Sequence, residues 1–321
     1  MGKLPALSKQ DSLGKVDSFQ SLSKPIARRL DLKVGYECIN DCLFCVVADK
    51  RNFGNKSTQQ IKEELAGSFD DGVREVVFTG GEVTVRQDIF EIVSFAKELG
   101  YKNIQIQTNG RRFSSMDFSK KMVIAGMTEC SPAIHGHNAK IHDCLTQRPG
   151  SWRQTVLGIY NLKKIGIRII TNTVVTKQNY RHLPDIARLL TKLRVLQYQF
   201  AFVHIMGNAL KFYREVVPSV SQVAPYIKQG IDIGIKAGLR VMVEAVPFCL
   251  MKGYEKYLSE YYIPSTQLKE VGWQIDNFEW VRKNEAKIKF SFCLECKWYA
   301  ECEGPWKEYP QLFGSKEFIP V

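Results

Sequence analysis

The chain has 321 residues, 45% of them hydrophobic and 24% charged, with nine cysteines and a formal net charge of +12. That length and apolar share are enough to bury a sizeable core, which excludes a disordered or fibrous chain. No apolar run approaches the roughly 18–20 residues that span a bilayer, which excludes a transmembrane helix.

Residues 1–29 read as a basic arm with Gly14, Pro25 and scattered serines. A first strand is expected over Leu30–Tyr36, running straight into Cys38, Cys42 and Cys45. Ser57 or Thr58 can cap a helix that continues through Ala66. The β-branched and aromatic run Val76-Val77-Phe78 reads as a buried strand ending at Gly80-Gly81-Glu82. Gln87–Leu99 has helical spacing, with Gly100 as its stop. There follow a strand Asn103–Gln107, a helix near Ser115–Ala125, a strand Thr128–Ile134 and a helix Trp152–Lys164. A strand Ile167–Val175, a helix near Leu183–Leu193, a strand Gln197–His204 and a long helix Val220–Ala237 complete the pattern. Six strands alternating with helices predict an α/β fold on a parallel sheet with right-handed crossovers. A further strand, Leu239–Val246, opens the C-terminal region. The expected divisions are 1–29 as arm, 30–238 as core and 239–321 as a C-terminal extension.

Cys38, Cys42 and Cys45 stand in the order C-x3-C-x2-C. Three thiolates so close can hold a corner of a [4Fe–4S] cube, but no fourth cysteine follows nearby, and a carrier cluster normally takes four ligands. One iron is then left open to a substrate or cofactor. Zinc is the plainer alternative, although structural zinc usually takes four Cys or His ligands. Gly-Gly after a strand allows a tight turn and close backbone approach, and a carboxylate there can pair with an ammonium group.

The C-x3-C-x2-C run, with Phe44 before its third cysteine, followed by Gly80-Gly81-Glu82, resembles the radical S-adenosylmethionine (radical SAM) enzymes. The resemblance implies a partial (β/α)6 barrel of the TIM type. It implies that Cys38, Cys42 and Cys45 hold a [4Fe–4S] cluster whose open iron is chelated by SAM. One electron then cleaves SAM to a 5′-deoxyadenosyl radical that abstracts substrate hydrogen. By the same resemblance Gly80, Gly81 and Glu82 hold the SAM amino group, Phe44 accompanies the cluster, Asn172 touches the SAM carboxylate or ribose, and the neighbourhood of His204 meets the adenine. Many relatives carry Ser where this chain has Ala133, so that contact is missing here. In such a barrel the chemistry sits at the C-terminal strand ends, where Gln107-Thr108-Asn109-Gly110 and His204–Asn208 also fall. An electron donor of the flavodoxin or ferredoxin type is implied as a partner.

Cys249, Cys293, Cys296 and Cys302 make a second set, among Trp298, Tyr299, Gly304 and Trp306. Four thiolates are enough for another cluster. The spacing is similar to part of the auxiliary-cluster region of the SPASM and twitch radical SAM enzymes, with too few cysteines for two clusters there. One auxiliary [4Fe–4S] is therefore expected, with a zinc knuckle on Cys293 and Cys296 as the alternative.

His135, His137 and His142 invite a metal reading, but their spacing fits no common zinc pattern, and loop hydrogen bonding is preferred. His182 reads as a helix-surface residue, and Cys130 and Cys144 as small packed side chains. Residues 1–30 carry six Lys/Arg against two Asp, whereas 240–321 carry eleven Lys/Arg against twelve Asp/Glu. The positive excess thus lies in the arm and core. It is read as solvated surface, including Arg111-Arg112, with a nucleic-acid partner not favoured. The amino terminus lacks a signal-peptide apolar region, so the cysteines are expected in a reducing cytoplasm with no membrane partner. The arm is too short for a peptide-recognition domain, which leaves the substrate open between peptide or protein and small metabolite. Two rivals stand beside the enzyme: a two-cluster electron-transfer protein, and a zinc-stabilised RNA-binding module.

Overall fold

In the computed structural model, residues 27–321 are described; the basic arm falls outside them except for its last three residues. Nine strands form one sheet. They are β1 (Arg29–Lys33), β2 (Glu75–Thr79), β3 (Asn103–Thr108), β4 (Glu129–Pro132), β5 (Arg168–Val175), β6 (Gln197–Phe202), β7 (Arg240–Glu244), β8 (Thr266–Lys269) and β9 (Gln274–Ile275). Their order across the sheet is β7-β6-β5-β4-β3-β2-β1-β8-β9. Every neighbouring pair is parallel except β8 and β9. The expected α/β architecture is what the chain adopts.

Helices cross over between the strands. The main ones are α1 (Thr58–Asp70), α2 (Ile89–Leu99), α3 (Met116–Ala125), α4 (Ala139–Thr146), α5 (Ser151–Lys164) and α6 (Leu183–Lys192). Two short turns, α7 (Asn208–Lys211) and α8 (Tyr213–Val216), precede the long α9 (Val220–Lys236). Ser57 starts α1 with a reciprocal capping box: its hydroxyl accepts from the Gln60 N–H, and the Gln60 side chain accepts from the Ser57 N–H. The helix runs past the expected stop at Ala66 because its last turn is anchored. Ser68 is fully buried and donates to Gln267 Oε1 of β8 at 2.7 Å. Gly100, left-handed at φ 98°, ends α2 as expected. Strand side chains that alternate outward, such as Ile104, Ile106, Tyr198 and Phe200, are buried under these helices.

The sheet does not stop at residue 238. β7 pairs with β6 at one edge, and β8 pairs with β1 at the other. The C-terminal region therefore adds one parallel strand to each side of the six-stranded core. Lys33 of β1 and Glu244 of β7 line the same cavity, so the sheet curls toward closure as an open barrel. Its interior opens at the C-terminal strand ends. β8 and β9 were not anticipated; at four and two residues they are too short for a period-2 pattern to emerge.

Candidate active site

A cavity of about 420 Å³ opens at the C-terminal ends of β1–β7. Cys38, Cys42, Cys45, Phe44, Gly80, Gly81, Glu82, Asn172 and His204 all line it, as do Glu244 and Trp306. The residues singled out in the cysteine loop, the Gly-Gly-Glu turn, strand β5 and the loop after β6 thus face one space.

The cysteine loop is held from several sides. The Asp41 N–H donates to Thr146 O and the Leu43 N–H to Leu145 O, each at 3.0 Å, fixing the loop to the end of α4. Arg111 donates to Ile39 O at 2.8 Å and Asn40 Oδ1 at 2.9 Å, and Arg51 donates to Asn40 O at 2.8 Å. Asn208 closes the far side: its N–H donates to Cys45 O and its Nδ2 to Cys42 O, both at 2.9 Å. Arg111 is therefore a clamp on the loop, which corrects its reading as solvated charge. Its long-range partners could not be seen in an isolated Arg-Arg pair.

The two glycines serve the same packing. Gly80 has φ 121°, and a Cβ there would lie 2.2 Å from Gly35 O; at Gly81 it would lie 2.2 Å from Glu37 O. The Gly81 N–H donates to Gly35 O at 2.8 Å and the Glu82 N–H to Glu37 O at 2.7 Å. Only glycine lets the two loops bind backbone to backbone. Glu82 is 2% exposed. Its Oε1 accepts from the Thr84 N–H (3.1 Å), Thr84 Oγ1 (2.5 Å) and Thr108 Oγ1 (2.7 Å), and its Oε2 from the Asn109 N–H at 2.6 Å. One carboxylate so ties together the loops after β2 and β3. Three donors fill Oε1, while Oε2 keeps room for one more.

Phe44 is buried and meets His135 edge to face, with centroids 4.6 Å apart. His204 stacks flat on Trp306 at 3.8 Å and 8°. Trp306, from the aromatic C-terminal stretch, lines the same cavity. Asn172 Oδ1 and Asn109 Nδ2 are buried in this cavity with no hydrogen-bond partner in the protein, and His204 Nε2 faces Glu308 Oε2 at 3.6 Å. Buried polar atoms are normally paired, so the cavity offers an acceptor and a donor to a polar ligand. That suits SAM, which carries an amino group, a carboxylate, ribose hydroxyls and an adenine.

The second cysteine set also converges. Cys249, Cys293, Cys296 and Cys302 line one small pocket of about 30 Å³, walled by Phe290, Trp298, Phe318, Ile319 and prolines. Cys249 enters from the turn after β7 despite its distance in sequence. All nine cysteines are free of disulfides. Burial pushes the Cys38 thiol up to about 11 and Cys249 up to about 12, and it raises Cys42, Cys45 and Cys302 too. Loading metal on them must therefore release protons. Four thiolates can hold an iron–sulfur cluster, and thiolates also serve structural zinc.

An open parallel barrel with three thiols and a Gly-Gly-Glu turn at its mouth, and four more thiols in a second pocket, defines an α/β barrel with two thiol-rich sites. Residues 32–190, just under half of the chain, match the Radical SAM superfamily family model. The chain is 28% identical over 195 residues to an "AdoMet-dependent heme synthase" of Oleidesulfovibrio alaskensis, covering 60% of this chain and 50% of the relative. It is 28% identical over 191 residues to a "Probable GTP 3′,8-cyclase" of Sulfolobus acidocaldarius, covering 58% of this chain and 60% of the relative. The matches thus span about half to three fifths of the curated relatives' length. In fold it is similar to Streptococcus suis SuiB bound to the precursor peptide SuiA, with a TM-score of 0.68 and 16% identity over 92% of this chain and 75% of SuiB.

Proposed function

We propose that this chain is a radical SAM enzyme in which Cys38, Cys42 and Cys45 hold the catalytic [4Fe–4S] cluster. The observation that carries this is the convergence of these thiols, Gly80-Gly81-Glu82 and the partnerless Asn109 Nδ2 and Asn172 Oδ1 on one cavity. When bound, the cluster supplies an electron for reductive cleavage of SAM, yielding the 5′-deoxyadenosyl radical that takes hydrogen from substrate. The chain's own residues bind, orient and enclose. Arg51, Arg111 and Asn208 fix the cysteine loop. Glu82 Oε2 and the glycine backbone receive the SAM amino group, Asn172 faces its carboxylate or ribose, and His204, flat against Trp306, flanks the adenine. Cys249, Cys293, Cys296 and Cys302 hold one auxiliary [4Fe–4S] cluster in a region 239–321 that is functionally distinct from the 30–238 core.

The substrate remains a peptide, a protein or a small metabolite, since the names of the similar proteins refer to heme, to GTP and to a precursor peptide. The reductant is a flavodoxin- or ferredoxin-type donor. Among the described residues no helix is long and apolar enough to cross a membrane, and nine cysteines free of disulfides favour a cytoplasmic setting.

The test is anaerobic reduction of the iron-loaded protein by dithionite with SAM, with and without candidate substrates of each class. 5′-Deoxyadenosine is expected from the native chain and not from a Cys38/Cys42/Cys45→Ala variant. Equal product from both proteins would reject the reading.

A further inference from the structure

The three histidines near residue 140 separate into two groups. His135 and His142 are buried and serve the fold: the His135 N–H donates to His142 Nδ1 at 3.1 Å, and the Val174 N–H donates to His135 Nδ1 at 3.2 Å. His137 turns away from them toward His182, with ring centroids 5.1 Å apart. His182 directly precedes α6, and Asp185 lies in its first turn. One ring nitrogen of each histidine and one Asp185 carboxylate oxygen lie within 4.8 Å of one another.

Several details of this group point to a ligand. His182 Nδ1 is 3.6 Å from Asp185 Oδ2. That is too long for a hydrogen bond but close to the roughly 3.3 Å between two ligand atoms of a tetrahedral ion with 2.0 Å bonds. Arg188 donates to Asp185 Oδ1 at 2.5 Å, so this oxygen is engaged while Oδ2 is turned to the histidine. Such an outer partner orients a ligating carboxylate. His137 Nδ1 is buried with no partner, while Nε2 lies 2.9 Å from Asn138 Nδ2. Ligation through Nδ1 would put the ring proton on Nε2, where water on the half-exposed rim can replace Asn138 as its partner.

The geometry points to a divalent transition-metal site on His137, His182 and Asp185, with zinc as the ion its donors suit best. Two imidazoles and a carboxylate are a common donor set for zinc and for iron(II), and three ligands leave positions for water or a further group. His137 follows β4, and the other two follow β5. The ion would join these loops on the rim beside the cavity, two residues from His135, which lines it. This inference does not depend on the proposed SAM chemistry.

The test uses the full chain with its cysteines already loaded with iron and sulfide, titrated anaerobically with Zn²⁺ against a chromophoric chelator. One Zn²⁺ per chain is expected. His137→Ala, His182→Ala and Asp185→Asn should each weaken it at least about tenfold. His182 and Asp185 side chains are 41% and 42% exposed, so those two variants should keep the native melting temperature. X-ray absorption at the zinc edge should find nitrogen and oxygen neighbours only. Unchanged binding in the His182→Ala and Asp185→Asn variants, absence of binding to the native chain, or sulfur near 2.3 Å would each overturn the site.

Discussion

Glu82 joins the loops after β2 and β3 through a carboxylate that accepts four hydrogen bonds. Glu82→Gln turns an NH₂ group toward donors, so it should cost about 1–3 kcal/mol and weaken SAM binding; urea unfolding and equilibrium dialysis measure the two effects. Gly81 is as constrained sterically. Gly81→Ala puts a methyl 2.2 Å from Glu37 O and should prevent cluster assembly, read as lost iron. Gly67→Ala, in α1 with nothing within 4 Å of a Cβ, should instead raise stability by about 0.5–1 kcal/mol. The cysteines and Gly-Gly-Glu could be read from the sequence because each motif is contiguous. Arg51, Arg111 and Asn208 could not, because what they clamp lies up to 166 positions away. His182 is the helix-surface residue expected, half-exposed at the start of α6, but its neighbour His137 comes from another loop.

Helices and core strands were legible wherever apolar spacing ran for several turns or a full strand. α4 was missed because its eight residues, AKIHDCLT, mix polar and apolar side chains too closely to stand out. β8 was missed because all four of its residues, including Gln267 and Lys269, are buried, so no polar alternation marks a face. In the C-terminal extension, Arg282 and Glu303 form a buried two-pronged ion pair, with Nε and Nη2 donating at 2.8 and 2.7 Å. It fixes the segment leading to Cys293 against the residue after Cys302. Arg282→Met alone should destabilise by about 3–5 kcal/mol, and Arg282→Met with Glu303→Leu by much less, because the cost is that of stranding one buried charge. A double-mutant cycle on urea midpoints measures this. A double variant as unstable as the single one would mean that the pair orders the segment in another way.

Across the whole molecule, acid sensitivity follows from the buried histidines. Burial lowers His142 from 6.5 to about 4, with Asp143 opposing the shift. The unfolded chain therefore binds a proton between these pH values that the folded chain does not. Stability is full above about pH 6.5 and falls as pH drops toward 4, by up to roughly 3 kcal/mol from this group. His142→Gln should flatten that part of the profile when urea midpoints at pH 5.5 and 7.5 are compared between variant and native chain. The two cysteine sets divide the molecule in another way. Replacing Cys249, Cys293, Cys296 and Cys302 by Ser should lower iron from about eight to about four per chain, with 5′-deoxyadenosine still formed. The overall plan, a parallel α/β sheet with motifs at its C-terminal rim, was legible because strand-to-helix alternation is a long-range rhythm. The joining of β7 and β8 to opposite edges was not, since edge pairing leaves no periodic mark.

The central claim is that SAM ligates the cluster held by Cys38, Cys42 and Cys45. Electron paramagnetic resonance of the dithionite-reduced protein, before and after adding SAM, tests it most directly. Two reduced-cluster signals are expected, one shifting with SAM and absent from the Cys38/Cys42/Cys45→Ala variant, the other unmoved. Signals that ignore SAM altogether would contradict the account and leave an electron carrier in its place.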